Sequence, residues 1–292
     1  MKVISLAKIS IGFASDFVIS ADKYMTLFAE EVLTPEGCDC VIPIRCEALP
    51  DIPASAPIYM DNKRCVFEEG NEQLHYYLPL GEEWQFCLKK HGEERCLYVK
   101  PPYRRYAENL WNLVNKVELT SILMKYNALI LHASYIIYHG KAILFTAPSG
   151  TGKSTQARLW NENRQARIVN GDRAIIRLQE GRLRAYGLPF CGSSDICLNE
   201  DAPLLAIVVL GQASDNRIEK LSGVESIKYL YSQMAVQRWN EREVASGVRL
   251  LQDIVQYVPV LRLQCTPTPE AVFTLEHYLQ KTENEEGVPW QY

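Results

Sequence analysis

Two rhythms of apolar and polar positions divide the chain. Up to about residue 103, short runs rich in β-branched and aromatic residues alternate with turn formers. Val41-Ile42-Pro43-Ile44, Ile58-Tyr59-Met60, His75-Tyr76-Tyr77-Leu78 and Cys96-Leu97-Tyr98-Val99 predict strands. Pro35-Glu36-Gly37, Asp61-Asn62 and Glu69-Gly70-Asn71 predict the turns between such strands. Pro101-Pro102 then stiffens the backbone and closes this part. From 104 to 126, Leu110, Leu113, Val114, Val117, Ser121 and Met124 recur at three- and four-residue steps, which predicts the longest helix of the chain. Trp111, Leu119 and Ile122 widen its apolar face.

Beyond residue 127 strand-like and helix-like runs alternate. Ala128–Leu131 predicts a strand that ends at His132, and Tyr135–Tyr138 and Ala142–Thr146 predict two more. A helix starts near Lys153; strands follow at Arg167–Asp172, Ala174–Leu178 and Leu183–Tyr186. Leu204–Leu210 is apolar throughout, as in a strand covered on both faces. Helices over Gly223–Met234 and Glu241–Tyr257, a strand at Val260–Leu263 and a helix from Pro269 to about Gln280 complete the pattern. The fold class expected is α/β, with a smaller β-rich domain at 1–103, a catalytic domain at 104–281 and a polar tail at 282–292.

Composition changes this picture little. The 292 residues are 47% hydrophobic and 23% charged, an ordinary globular balance. A net charge of −4 gives no global drive toward nucleic acid or an anionic membrane. Met1–Lys8 carries charge inside its apolar run, so it does not read as a signal peptide, and no run approaches membrane-spanning length. Of nine cysteines, Cys38, Cys40 and Cys46 cluster without zinc-site spacing. Unpaired thiols of a cytoplasmic protein are the expectation. A homo-oligomer is compatible with the sequence.

The chemistry concentrates at Ala147-Pro148-Ser149-Gly150-Thr151-Gly152-Lys153-Ser154-Thr155. Between a strand and a helix, Ser149 to Thr155 reads as a phosphate-binding loop. Its glycines let backbone N–H groups turn inward, and the helix adds its positive end. Lys153 would reach the phosphates of ATP, and the Ser154 hydroxyl would bind Mg²⁺. The usual pattern opens with Gly where this chain has Ala147. Asp172 lies nineteen residues after Lys153, where a carboxylate can hold Mg²⁺ or take a proton from an attacking hydroxyl. A plain turn aspartate is the alternative. His132 reads either as a packing residue or as a partner of the Asp172 carboxylate. His75 and His91 are isolated in sequence and read as packing or surface residues. Gly187–Ser194 reads as an active-site loop in which Gly192, Ser193 and Ser194 would hydrogen-bond the acceptor, with a plain turn as the alternative.

His132, the Ser-Gly-Thr-Gly-Lys-Ser loop whose lysine follows twenty-one residues later, and Asp172-Arg173 together resemble the HPr kinase/phosphorylase catalytic domain. Its wider group includes phosphoenolpyruvate carboxykinases. His132 to Cys197 also resembles HPr-kinase-like proteins, some of which phosphorylate peptides. The resemblance covers roughly residues 128–265 and leaves the first hundred uncovered. It implies an ATP- and Mg²⁺-dependent kinase that phosphorylates a hydroxyl, such as a serine of a peptide, small protein or small molecule. Lys153 and Ser149 to Thr155 would hold nucleotide, Ser154 and Asp172 the metal, and Asp172, His132 and Lys153 would serve catalysis. Where the family has two adjacent aspartates, this chain has Gly171-Asp172, and the family's later Glu-containing signature has no counterpart. A carboxykinase-like enzyme and a non-catalytic nucleotide-binding sensor are the rival readings.

Overall fold

The computed structural model describes residues 1–79 and 81–285. It is an α/β protein with two mixed sheets and, among the described residues, seven α-helices. The chain divides into two units, Met1–Ile122 and Leu123–Tyr292.

The first unit is built on β1 (Lys2–Leu6), β2 (Ile9–Ala14), β3 (Ala29–Glu31), β4 (Cys40–Cys46), β5 (Tyr59–Met60), β6 (Arg64–Glu69), β7 (Glu72–Tyr77), β8 (Phe86–His91) and β9 (Glu94–Val99). They form one sheet in the order β3-β1-β2-β4-β9-β8-β7-β6-β5. Cys65, Phe67, Leu74, Tyr76 and Cys87 alternate onto one face and pack together there. The residues between them, Val66, His75 and Phe86, are buried too. None of the nine cysteines is in a disulfide.

The long helix expected over 104–126 is broken into α1 (Arg104–Ala107), α2 (Leu110–Val114) and α3 (Leu119–Lys125). Two positions explain the breaks. Asn109 is extended, its side chain caps α2 by accepting from the Trp111 N–H, and the Leu110 N–H turns away to the Ser20 carbonyl at 2.8 Å. Glu118 then takes a left-handed φ of 55°, which no helix continues through. The apolar spacing still reported burial, since Leu110, Leu113, Val114, Val117 and Ile122 are all buried. It did not report continuity.

The second unit contains β10 (Ala128–Tyr138), β11 (Lys141–Thr146), α4 (Lys153–Arg164), β12 (Arg167–Asn170), β13 (Arg173–Gln179), β14 (Arg182–Tyr186), β15 (Asp201–Gln212), β16 (Arg217–Lys220), α5 (Gly223–Gln233), α6 (Glu241–Tyr257), β17 (Val260–Cys265) and α7 (Pro269–Glu285). The sheet runs β11-β10-β13-β14-β15-β17-β16, and β15 also pairs in parallel with β11. Five strands therefore close a ring. Ile143 and Phe145 of β11 face α4 and α7 through Trp160, Ala271 and Leu275. Ala142 and Leu144 face the opposite layer with Leu230 of α5 and Leu251 of α6. Burial on both faces is why these strands read as continuous apolar runs. Both helices of that layer are capped: Ser222 and Glu225 form a capping box on α5, and Asn240 caps α6.

β10 is a single strand of eleven residues, where the sequence suggested two, with His132 inside it rather than at its end. The expected final helix continues past Gln280 to Glu285. The rest of the expected polar tail, 286–292, lies outside the described residues.

Candidate functional site

The position of His132 follows from how β10 finds partners. Ala128–His132 pairs with β13, whereas Tyr135–Ile137 pairs with β12 on that same edge. The turn Gly171-Asp172 separates β12 from β13, so the edge of β10 is interrupted beside His132. There the Ala133 N–H donates to the Asp172 carbonyl at 2.9 Å, and the Ser134 hydroxyl donates to the Gly171 carbonyl at 2.9 Å. On the other edge, Ala133 stands opposite Thr146, the last residue of β11. The Thr146 hydroxyl donates to the His132 carbonyl at 2.8 Å. The start of the loop that follows Thr146 and the Asp172 turn are thus both anchored to β10 at His132–Ser134.

Within the loop, Gly152 caps α4 from a left-handed φ of 114°. Only glycine adopts that angle readily. An ideal Cβ on Gly150 or Gly152 would meet nothing within 4 Å, so it is backbone angle rather than crowding that favours glycine there. Ala147 keeps a negative φ, which explains why a residue other than glycine serves there. Lys153 is buried, not a free arm as its loop position suggested. Its ammonium donates to the Ala147 carbonyl at 2.8 Å and to that of Pro148 at 3.2 Å. Burial pushes its pKa down, and the nearby Asp172 charge pulls it back up. Ser154 is exposed at the first turn of α4.

The His132 Nε2 lies 3.2 Å from the Asp172 Oδ1, and the Arg173 Nε lies 3.1 Å from the Oδ2. The hydrogen bond from His132 lowers the Asp172 pKa; burial opposes it and the Arg173 charge adds to it. The other imidazole nitrogen, Nδ1, lies 3.3 Å from Gln233 Oε1 at the end of α5. The Gln233 Nε2 donates to the Ser232 hydroxyl at 3.0 Å, which orients the amide. His132 is thus held between α5 and the Asp172 turn. Gln233 sits 101 residues from His132, and only the pairing of α5 with β10 makes it a partner.

The Gly187–Ser194 segment lies against the same turn. A Cβ on Gly192 would come within 2.8 Å of the Asp172 Cγ, and one on Gly171 within 2.2 Å of the Ser194 hydroxyl. Gly192 and Ser193 are exposed, while Ser194 is half-buried with its hydroxyl donating to the Cys191 carbonyl. Arg184 belongs to another part of the unit, where it pairs with Asp201 at 2.6 Å.

The donor chemistry fits nucleotide and Mg²⁺. A glycine-bearing loop leading into a helix N-terminus beside a buried lysine suits polyphosphate. One hydroxyl and one carboxylate are hard oxygen ligands of the kind Mg²⁺ uses beside water and phosphate. Among the described residues no group of three or more His, Cys, Asp or Glu gathers as a metal cage, and no helix is long and apolar enough to cross a membrane.

A family model described as SynChlorMet cassette protein ScmC matches residues 107–268, more than half of the chain. No curated protein matches. Among solved structures, the HPr(Ser) kinase/phosphatase from Coxiella burnetii is similar over 54% of this chain and 94% of its own, at 13% identity and a TM-score of 0.31.

Proposed function

The chain belongs to the ScmC family of SynChlorMet cassette proteins, whose model spans every residue of the site, and we propose that this protein is an ATP- and Mg²⁺-dependent kinase acting on a hydroxyl acceptor. The observation that carries the reading is the convergence on His132 and Ala133 of a phosphate loop from one edge of β10 and a histidine-held carboxylate from the other. Phosphoryl transfer needs little covalent chemistry from the protein. It needs placement and charge.

Bound Mg²⁺–ATP supplies the transferable phosphoryl group. The amides of Ser149 to Thr155 and the Lys153 ammonium hold the phosphates, the latter leaving the Ala147 and Pro148 carbonyls to do so. Ser154 and Asp172 hold the metal. Asp172 takes the proton from the acceptor hydroxyl as the acceptor oxygen bonds phosphorus and the bond to the ADP oxygen breaks. His132, anchored by Gln233, keeps the carboxylate in place. The acceptor class is a serine of a peptide or small protein, or a small alcohol. We assign acceptor recognition to the Met1–Ile122 unit, which carries none of the phosphate-directed residues.

Two measurements test this. Transfer of label from γ-labelled ATP to serine peptides and small alcohols is expected with Mg²⁺ and absent with EDTA. Lys153→Ala is expected to lose affinity for a fluorescent ATP analogue; unchanged affinity in a folded variant removes the phosphate-loop assignment. Gly171, standing where a second carboxylate would complete an HPr-kinase-like site, favours one other reading, a nucleotide-binding sensor. Tight Mg²⁺–ATP binding without turnover would decide for it.

A further inference from the structure

The turn that presents Asp172 and the loop beside it are joined by one side chain. Asn170, the last residue of β12, is fully buried. Its Oδ1 accepts from the Asp172 and Arg173 N–H groups, both at 2.9 Å. Its Nδ2 donates to the Leu188 carbonyl at 2.9 Å and to that of Phe190 at 3.1 Å. Two acceptor sites and two donors exhaust what a carboxamide offers. No other side chain of that length supplies both halves: aspartate lacks the donors, and serine is too short to bridge the gap.

The backbone reinforces the joint, since the Leu198 N–H donates to the Val169 carbonyl at 2.8 Å and Asn170 bridges to Cys197. The contacts beside it interleave. Gly192 leans on the Asp172 carboxylate, while Ser194 leans on Gly171. The loop from Gly187 to Cys197 and the turn at 170–173 are therefore one mechanical piece, and its exposed edge is Gly192 and Ser193.

We propose that Asn170 is a positioning residue of the transfer site, and that the loop it holds is the acceptor-side wall, with base and wall set in register by a single amide. The inference rests on the kinase reading above. It separates two functions within the unit. The groups assigned to the phosphates stand on the loop between β11 and α4 and on the first turn of α4. The proton-accepting carboxylate and the acceptor wall stand on Asn170.

The test uses the full chain, with Mg²⁺–ATP and water as acceptor, a fluorescent ATP analogue and hydrogen–deuterium exchange. Asn170→Ala is expected to lower kcat at least tenfold with the analogue affinity, measured without Mg²⁺, within twofold, and to speed exchange at both 171–173 and 188–191. Asn170→Ser keeps a short acceptor for the turn amides but cannot reach the loop. It is expected to slow exchange at 171–173 toward wild type while exchange at 188–191 stays fast and kcat stays low; recovery of kcat with that loop still fast would remove its role as the wall. If the alanine variant does not fold, the serine variant decides by the same two readouts. An unchanged kcat in a wild type that turns over ATP, or parallel loss of kcat and analogue affinity, overturns the inference alone. A wild type that neither binds nor turns over ATP overturns the kinase reading and this inference with it.

Discussion

Each unit contains a histidine beside a carboxylate, at nearly the same separation. His75 Nδ1 lies 3.1 Å from Glu118 Oε1, with both side chains fully buried. His132 Nε2 lies 3.2 Å from Asp172 Oδ1, with side chains 32% and 27% exposed. Glu118 is further held by Lys90 at 2.7 Å. Burial pushes the Glu118 carboxyl upward, but the hydrogen bond with His75 and the Lys90 charge win and hold it far below the usual range. Burial also dominates at His75 and drives its pKa down. No reactant reaches that pair, so its interactions serve the fold. The Asp172 pair has similar partners and an open side. A histidine–carboxylate distance therefore says little about chemistry; access decides.

The widest separation between the pairs is expected in stability. Glu118→Ala strands a buried ammonium and a buried imidazole, and should cost about 3–5 kcal/mol in urea denaturation. Asp172→Ala should cost no more than about 1 kcal/mol, as for a part-exposed pair. Equal losses would dissolve the distinction. Next comes turnover. Asp172→Asn keeps shape and removes the base, so phosphoryl transfer should fall about a hundredfold, roughly 2.7 kcal/mol of barrier, with ATP-analogue affinity retained. Glu118→Gln should leave the turnover of the folded fraction at wild-type level.

A third, smaller effect sharpens what surrounds Asp172. Gly171→Ala forces a methyl group onto the Ser194 side chain, an overpacking worth about 1–3 kcal/mol. Ser194→Gly in the same chain should restore most of it in thermal melts, and failure to do so would remove Ser194 as the obstacle. The smallest is a pH dependence. His75 has a folded pKa below its ordinary 6.5, so the unfolded chain takes up the proton first and stability falls as pH drops through about 6.5. The loss should be visible between about pH 6.5 and 5.0, and His75→Gln should flatten it. Asp172 is also lowered, but from the carboxylate range, so its contribution is lost only as pH falls below about 4. A wild-type melting temperature flat from pH 7.5 to 5.0 would contradict the account of His75.

Much of the second unit was legible because its signals are local. Helix α6 coincides with the stretch expected from spacing alone, and the segment with Gly150, Gly152 and Lys153 does run from a strand into a helix. What escaped was set by distant neighbours. The strand through His132 reads as two because a polar residue interrupts the apolar run; its interruption matches a gap in the partner edge, not an end of β10. Asn170 and Gln233 carry no signature in sequence, since their partners are carbonyls and rings brought close by sheet topology. His75 seemed isolated because Glu118 lies forty-three residues on, at a break in what spacing made a continuous helix. Periodicity records which face is wet. It does not record where a backbone must turn to let Asn109 and Glu118 reach their partners.

The ring of strands has a consequence for how the molecule comes into being. β11 pairs in parallel with β15, Ala142 opposite Leu204 across sixty-two residues of chain. Parallel pairings at such separation close slowly. The phosphate loop is therefore synthesised well before the strand that steadies it. A nascent chain halted before β15 should emerge from the ribosome without affinity for nucleotide, although every residue that binds it has been translated. In refolding, nucleotide affinity should appear with the slow phase that buries Trp160 of α4 against Phe145 and Tyr138, which its fluorescence can time.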